Sequence, residues 1–214
     1  SFGNNPTRAG GASFAIRGIG GNRVRVQIDG IRVPDFPESN IGAGNFTRDF
    51  VDLETIRRIE ILRGPASALY GSDALGGVVA YTTKDPADYL GLTGRDVYAS
   101  GRFGYSGADN SFSETVTGAF RSGPVEGMLL YTRRDGSELR AGGDYPTNPQ
   151  DYAVNSLLGR LVWRATPADT LRLTGEFLER LTDTDIRTDR GVAPSFGGGP
   201  SNAVLNSVGR DRTE

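Results

Sequence analysis

The feature that most constrains this chain is a repeated alternation of apolar and polar residues, in segments of about ten, that begins after Asp85-Pro86. From Thr170 to Leu181, Leu171, Leu173, Gly175 and Phe177 alternate with Arg172, Thr174 and Glu176. From Val97 to Ser106, Val97, Ala99, Phe103 and Tyr105 alternate with Ser100, Arg102 and Ser106. Successive strand side chains point to opposite faces, so each segment carries one apolar and one polar face. Further strands are expected roughly from Phe112 to Arg121, Val125 to Arg134 and Val154 to Arg164, with Met128-Leu129-Leu130-Tyr131 interrupting the alternation. The connections differ in kind. Ser122-Gly123-Pro124 and Thr166-Pro167-Ala168-Asp169 read as tight turns, whereas Asp135 to Tyr152 and the tail from Thr182 are long, Gly-rich and polar. Short turns at one end and long loops at the other suit a transmembrane β-barrel. A soluble β-sandwich also alternates and turns tightly, so the pattern alone leaves both open. A helical membrane span is excluded, because no apolar run approaches the roughly 20 residues needed to cross about 30 Å of hydrocarbon.

The first 86 residues read differently, as a small α+β unit. Ser13 to Gly18 is expected as a strand, Ile19-Gly20-Gly21-Asn22 as a turn, and Arg23 to Val33 as a second strand. In that second strand Val24, Val26 and Ile28 face one way and Arg23, Arg25, Gln27 and Asp29 the other. A Gly-rich loop runs from Pro34 to Asn45, followed by a short helical turn over Asp52 to Ile56 and a strand from Arg58 to Arg63 that Gly64-Pro65 stops. Ala66 to Tyr70 suits a single helical turn, and Gly76 to Thr83 a returning strand.

Composition narrows the chemistry. With no Cys, disulfides and thiolate metal sites are excluded, and with no His the commonest general base and metal ligand is missing. No Ser or Lys sits in a catalytic motif, so no enzyme is expected and no cofactor is called for. A net charge of -2 provides no basic field for nucleic acid. Gly18-Ile19-Gly20-Gly21 runs into a strand where a dinucleotide site needs a helix N-terminus. Asp183, Asp185 and Asp189 read either as oxygen ligands for a hard cation or as a solvated acidic loop; they lack the spacing of a known calcium loop, so no metal site is assigned. The abrupt start at Ser1-Phe2-Gly3, with no signal peptide, reads as truncation or processing.

A dense ordered string identifies the chain further. Ile16-Arg17-Gly18, Asn22-Arg23-Val24, Ile28 to Arg32, Ile56 to Pro65, Ala68 to Gly71 and Ser72 to Val79 together resemble the plug domain of TonB-dependent receptors. Thr83 to Leu90 resembles the plug-to-barrel junction of the haemoglobin, transferrin and lactoferrin receptor branch. The resemblance implies an outer-membrane protein of a Gram-negative bacterium, with a 22-stranded barrel filled by the plug. An iron-bearing ligand (haem, haem-protein or ferric siderophore) enters when periplasmic TonB pulls on the plug. Residues 1–88 are then expected as the plug, without its TonB box and first strand, and 89–214 as about five barrel strands in contact with outer-membrane lipid.

The resemblance also implies site residues. Arg17, Glu60 and Arg63 are expected to face charges of the barrel wall, the alternative being that they solvate an open sheet face. The loop from Pro34 to Phe46 is expected to face the ligand vestibule. Phe36 and Phe46 would stack on a flat ligand with Asp35 and Asn40 giving polar contacts, or else both rings pin the loop to the plug. Tyr145 and Tyr152 bracket an external loop, either as phenolate ligands for ferric haem or as part of an aromatic girdle. Chain order puts Gly107 to Ser111, Asp135 to Tyr152 and the tail from Thr182 outside, with Ser122-Gly123-Pro124 and Thr166 to Asp169 in the periplasm.

Overall fold

Two-residue turns set the topology of the N-terminal unit. Arg17 and Gly18 have φ of 53° and 81°, and Asp29 and Gly30 of 47° and 84°, the left-handed pairs whose twist matches a tight hairpin. In the computed structural model, which describes residues 2–4, 12–34, 51–66, 70, 74–138, 149–185 and 208–213, each pair closes one hairpin. The first joins β2 (Ala12–Ile16) to β3 (Ile19–Gly20), and β2 also pairs with β1 (Phe2–Asn4). The second joins β4 (Val24–Ile28) to β5 (Ile31–Arg32). The expected turn at Ile19 to Asn22 is thereby moved to Arg17-Gly18, and the single strand expected from Arg23 to Val33 is cut in two. A period-2 pattern continues through a two-residue hairpin, which hides the break. Gly21–Arg23 instead forms one 3-10 turn leading into β4.

The strands β6 (Ile56–Arg63) and β7 (Gly77–Thr83) complete a sheet of order β5-β4-β7-β6, with β4 and β7 parallel and the other pairs antiparallel. A 3-10 turn over Leu53–Thr55, capped by the Asp52 carboxylate, leads into β6. Val24, Val26, Val51, Ile56, Val79 and Tyr81 form the core of this unit. Full burial of each apolar side chain contributes roughly 1.5–3 kcal/mol. Gly77 is required for packing: its φ is 145°, and a Cβ there would strike the Leu62 carbonyl oxygen and lie 2.8 Å from Ile16 Cδ1.

The junction contains a helix that the alternation does not announce, α1 (Pro86–Thr93). Its start is built from Asp85, which accepts the Ala87 N–H at 3.2 Å, while Asp88 accepts the Asp85 N–H at 2.8 Å, a reciprocal capping box with Pro86 in the first turn. Gly94, at φ 64°, ends it by donating its N–H to the Leu90 carbonyl.

Beyond α1, six antiparallel strands follow in chain order: β8 (Val97–Ser106), β9 (Ser111–Ser122), β10 (Val125–Ser137), β11 (Gln150–Arg164), β12 (Thr170–Asp185) and β13 (Val208–Thr213). The tail contributes one more strand than the five expected, and β12 extends to Asp185. The register explains why the outer ends escaped the alternation. Asp151 pairs with Asp183, and Tyr152 with Thr182, so the backbone ladder runs on where the side chains have become polar on both faces. At about 3.3 Å per residue and a tilt of about 40°, strands of 15 and 16 residues outreach an apolar band about 25 Å tall. One face of this sheet is apolar and exposed, carrying Phe103, Val116, Phe120, Leu129, Leu161, Trp163, Leu171, Leu173 and Phe177. The opposite face carries the buried Thr117, Leu130, Leu158, Arg160 and Val162, and the plug lies against it.

Candidate functional site at the seam between plug and barrel

Among the described residues, two kinds of contact join the plug to the strands. The first is apolar. Leu90 of α1 is fully buried among Ala119, Met128, Leu130 and Leu158 of β9, β10 and β11, with Tyr89 and Tyr98 packed at the margin, ring centroids 5.0 Å apart. Burial raises the Tyr89 hydroxyl above its ordinary range, against a hydrogen bond from Thr117, so it stays protonated.

The second contact is charged and centres on Arg160 of β11. Its side chain is only 7% exposed. One guanidinium nitrogen lies 2.5 Å from Asp29 Oδ2 and donates to Thr83 Oγ1, and the other lies 3.7 Å from Asp85 Oδ2. Its Nε donates to Thr174 of β12 at 3.1 Å. Asp29 reaches this position because the left-handed turn turns its carboxylate toward the end of β7. There it accepts the Thr83 N–H at 2.9 Å and the Thr83 hydroxyl at 2.5 Å. Burial acts to raise the Asp29 carboxyl, but the two Thr83 hydrogen bonds and the Arg160 charge outweigh it and hold the pKa below the usual value. Arg172 lies 3.8 Å from Asp85, and Arg102 donates to Glu54 at 2.9 Å, adding two further charged contacts. At the turn end of the wall, the buried Glu126 accepts from Arg121 at 2.8 Å and from Arg164 at 3.0 Å, tying three strands together on the plug-facing side.

Asp29, Thr83 and Asp85 lie within the plug-like and junction-like strings, but they are not the residues expected to face charges of the barrel wall. Arg17 lies exposed in the first hairpin turn, Arg63 is exposed at the end of β6, and Glu60 pairs with Arg58 two residues along the same strand at 3.5 Å. Among the described ion pairs none of the three meets β8 to β12. Asp35, Phe36, Asn40, Phe46 and Tyr145 lie outside the described residues. Tyr152 is described: its hydroxyl donates to Asp109 Oδ2 at 2.7 Å, which ties β11 to the first turn of the sheet. Burial acts to raise the Asp109 carboxyl, but hydrogen bonds from Tyr152, Ser106 and Ser111 bring it down to about 2. The charged seam had one legible sign, a polar side chain on the plug-facing side of each strand, as at Arg102, Arg160 and Arg172. Their partners are 48 to 131 residues away in sequence for Arg102 and Arg160, too far for pattern to join.

Residues 1–78 match the family model described as "TonB-dependent Receptor Plug Domain". The chain is 40% identical over 144 residues to hemoglobin-haptoglobin-binding protein A of Haemophilus influenzae, covering 64% of this chain and 14% of that protein. It is 34% identical over 167 residues to the hemin receptor of Yersinia enterocolitica, covering 77% of this chain and 23% of the relative. The chain therefore spans less than a quarter of the length of either. Among solved structures, the FrpB iron transporter of Neisseria meningitidis aligns with a TM-score of 0.62 at 20% identity, covering 82% of this chain and 26% of that one. The ferric enterobactin receptor of Pseudomonas aeruginosa aligns at 0.52 and 22%, covering 82% of this chain and 27% of that one. At such identity these two likenesses bear on fold alone. The chain thus carries the plug domain of TonB-dependent receptors over residues 1–78, and continues beyond it through a capped junction helix into antiparallel strands, apolar outside and polar toward the plug, as in an outer-membrane receptor of that family.

Proposed function

We propose that the full-length protein imports an iron-bearing ligand across the outer membrane under TonB control, with haem or a haem-protein as the favoured cargo and a ferric siderophore as the alternative. The observation that carries the haem preference is the 40% identity, over 144 residues, to a hemoglobin-haptoglobin-binding protein. The seam supports active import in a second way. A plug joined to the wall by charges around Arg160 and Arg102 can part from it by exchanging ion pairs for water, without exposing apolar surface there. On this reading the loop residues Asp35, Phe36, Asn40 and Phe46, with Tyr145, contact the ligand. Tyr152 supports them by holding the rim through Asp109, since its hydroxyl is already engaged. Arg17, Glu60 and Arg63 meet charges on strands of the full-length barrel beyond those present. Titration of the purified full-length receptor with hemin tests the cargo. Saturable hemin binding is expected, and no hemin binding alongside tight binding of a ferric chelate would overturn it. The proposed orientation places the short turns at 123–124 and 165–169 in the periplasm. Cysteines introduced singly and probed on intact cells with an impermeant thiol reagent should label at position 143 and stay silent at 168; the reverse pattern would overturn the orientation.

A further inference from the structure

We propose that α1 stays on the barrel wall when the plug yields, that the chain opens at the Thr83 to Asp85 joint, and that Arg160 exchanges Asp29 for Asp85 as it opens. This rests on the reading of the protein as a force-driven importer, and it names where that force is taken up. The hydrophobic clusters are segregated on either side of the joint. Those of the plug sheet, around Val24, Val26, Val79 and Tyr81 and around Ala66, Ala74 and Val78, contain no residue of the barrel strands. Leu90 of α1 belongs to a cluster otherwise made of barrel residues. Pulling the sheet from the wall therefore breaks charged contacts that water can replace, whereas pulling α1 away uncovers Leu90 and leaves a cavity behind it.

The polar contacts divide at the same place. Asp29 and Thr83 are bonded to each other by two hydrogen bonds and move as one with the sheet. Asp85 caps α1 and belongs with the helix. Arg160 lies between them, and a cation already 3.7 Å from a second carboxylate is not stranded when the first departs. Arg172, 3.8 Å from Asp85, holds the same carboxylate in place. Among the described residues, the ties between sheet and helix that must also break are the Lys84 N–H to the Thr55 carbonyl at 2.9 Å, and the ion pair of Arg57 with Asp88 at 3.3 Å, whose arginine is 58% exposed and hydrated.

Two measurements on the full-length receptor decide the matter. In the first, hydrogen exchange is followed by mass spectrometry on the purified protein in detergent over a mild urea series. Peptides covering 24–32 and 77–83 should exchange at lower urea than the peptide covering 86–93, and Asp29→Asn should speed the former at least tenfold while leaving the latter unchanged. Exchange of 86–93 together with or ahead of the sheet would overturn the proposal, and that order is read from the unmodified protein even where the variant fails to fold. In the second, a short bis-maleimide joins introduced cysteines, which the 214 residues otherwise lack. Joining Tyr89→Cys to Tyr98→Cys should leave TonB-dependent hemin uptake within twofold of the unjoined control, and joining Glu54→Cys to Arg102→Cys should abolish it. Equal effects of the two links would overturn the joint alone. Absence of TonB-dependent hemin uptake in the unjoined controls would instead overturn the functional reading, with the exchange order still deciding the joint.

Discussion

The plug meets the wall through two seams of opposite character. Where α1 lies on β9 to β11 the contact is dry, centred on a leucine with no exposed surface. Where the β4 to β7 sheet approaches the wall, the described contacts are hydrogen bonds and ion pairs around Arg160, with Asp29 still 28% exposed. The difference teaches that attachment and release can be assigned to different chemistry within one small domain. Apolar burial is cooperative and leaves a void when broken, while a hydrated charge pair exchanges one polar partner for another.

The largest expected effect tests the dry seam. Leu90→Ala should destabilise the full-length receptor by an amount in the upper part of the roughly 2–5 kcal/mol range for buried leucines, read as a lowered denaturation midpoint. A loss under about 1 kcal/mol would show that α1 is not anchored there. On the opposite side of the wall, Leu173→Arg should cost about 2–4 kcal/mol near the bilayer midplane, whereas Leu173→Ile should be close to neutral. An exposed position that tolerates arginine would instead mark that face as wet.

The charged seam should respond less. Arg160→Ala leaves Asp29 and Asp85 without their shared cation, and because Asp29 keeps partial contact with water we expect about 2–3 kcal/mol, below the 3–5 of a fully buried pair. Adding Asp29→Asn to that variant should recover part of the loss, and full additivity would show that the two do not interact. Arg102→Ala, at an arginine 68% exposed, should cost less than about 1 kcal/mol. The smallest effect concerns pH at the rim. Because the Asp109 carboxyl is lowered to about 2 from 3.8, the stability it contributes is fully present above pH 3.8 and is lost as pH falls through about 2. Asp109→Asn should therefore flatten the acid limb of the unfolding curve and leave neutral behaviour of the rim order unchanged in its pH dependence. Asp29, also lowered, has the same sign, so its pairing with Arg160 should hold unaltered from pH 7 down to about 4.

The sequence by itself determined which segments become strands, which face of each is apolar, and which residues can only be turns. Val24 and Val26 are buried as their alternation requires, and Leu171, Leu173 and Phe177 point away from the plug. These properties are local, carried by a period of two and by turn residues such as Gly123-Pro124. Local signals were less sufficient at the ends of elements. The alternation concealed the break at Asp29-Gly30, α1 was hidden in a string read only as a junction, and β12 and β13 outran the apolar pattern. The tertiary structure alone decided the seam. It brought Asp29, Thr83 and Asp85 to Arg160, and it took the Tyr152 hydroxyl to Asp109. Nothing near Arg160 in the chain distinguishes it from the other arginines on the plug-facing side of the strands. Its role follows from where burial removes water, and that depends on which distant surfaces meet.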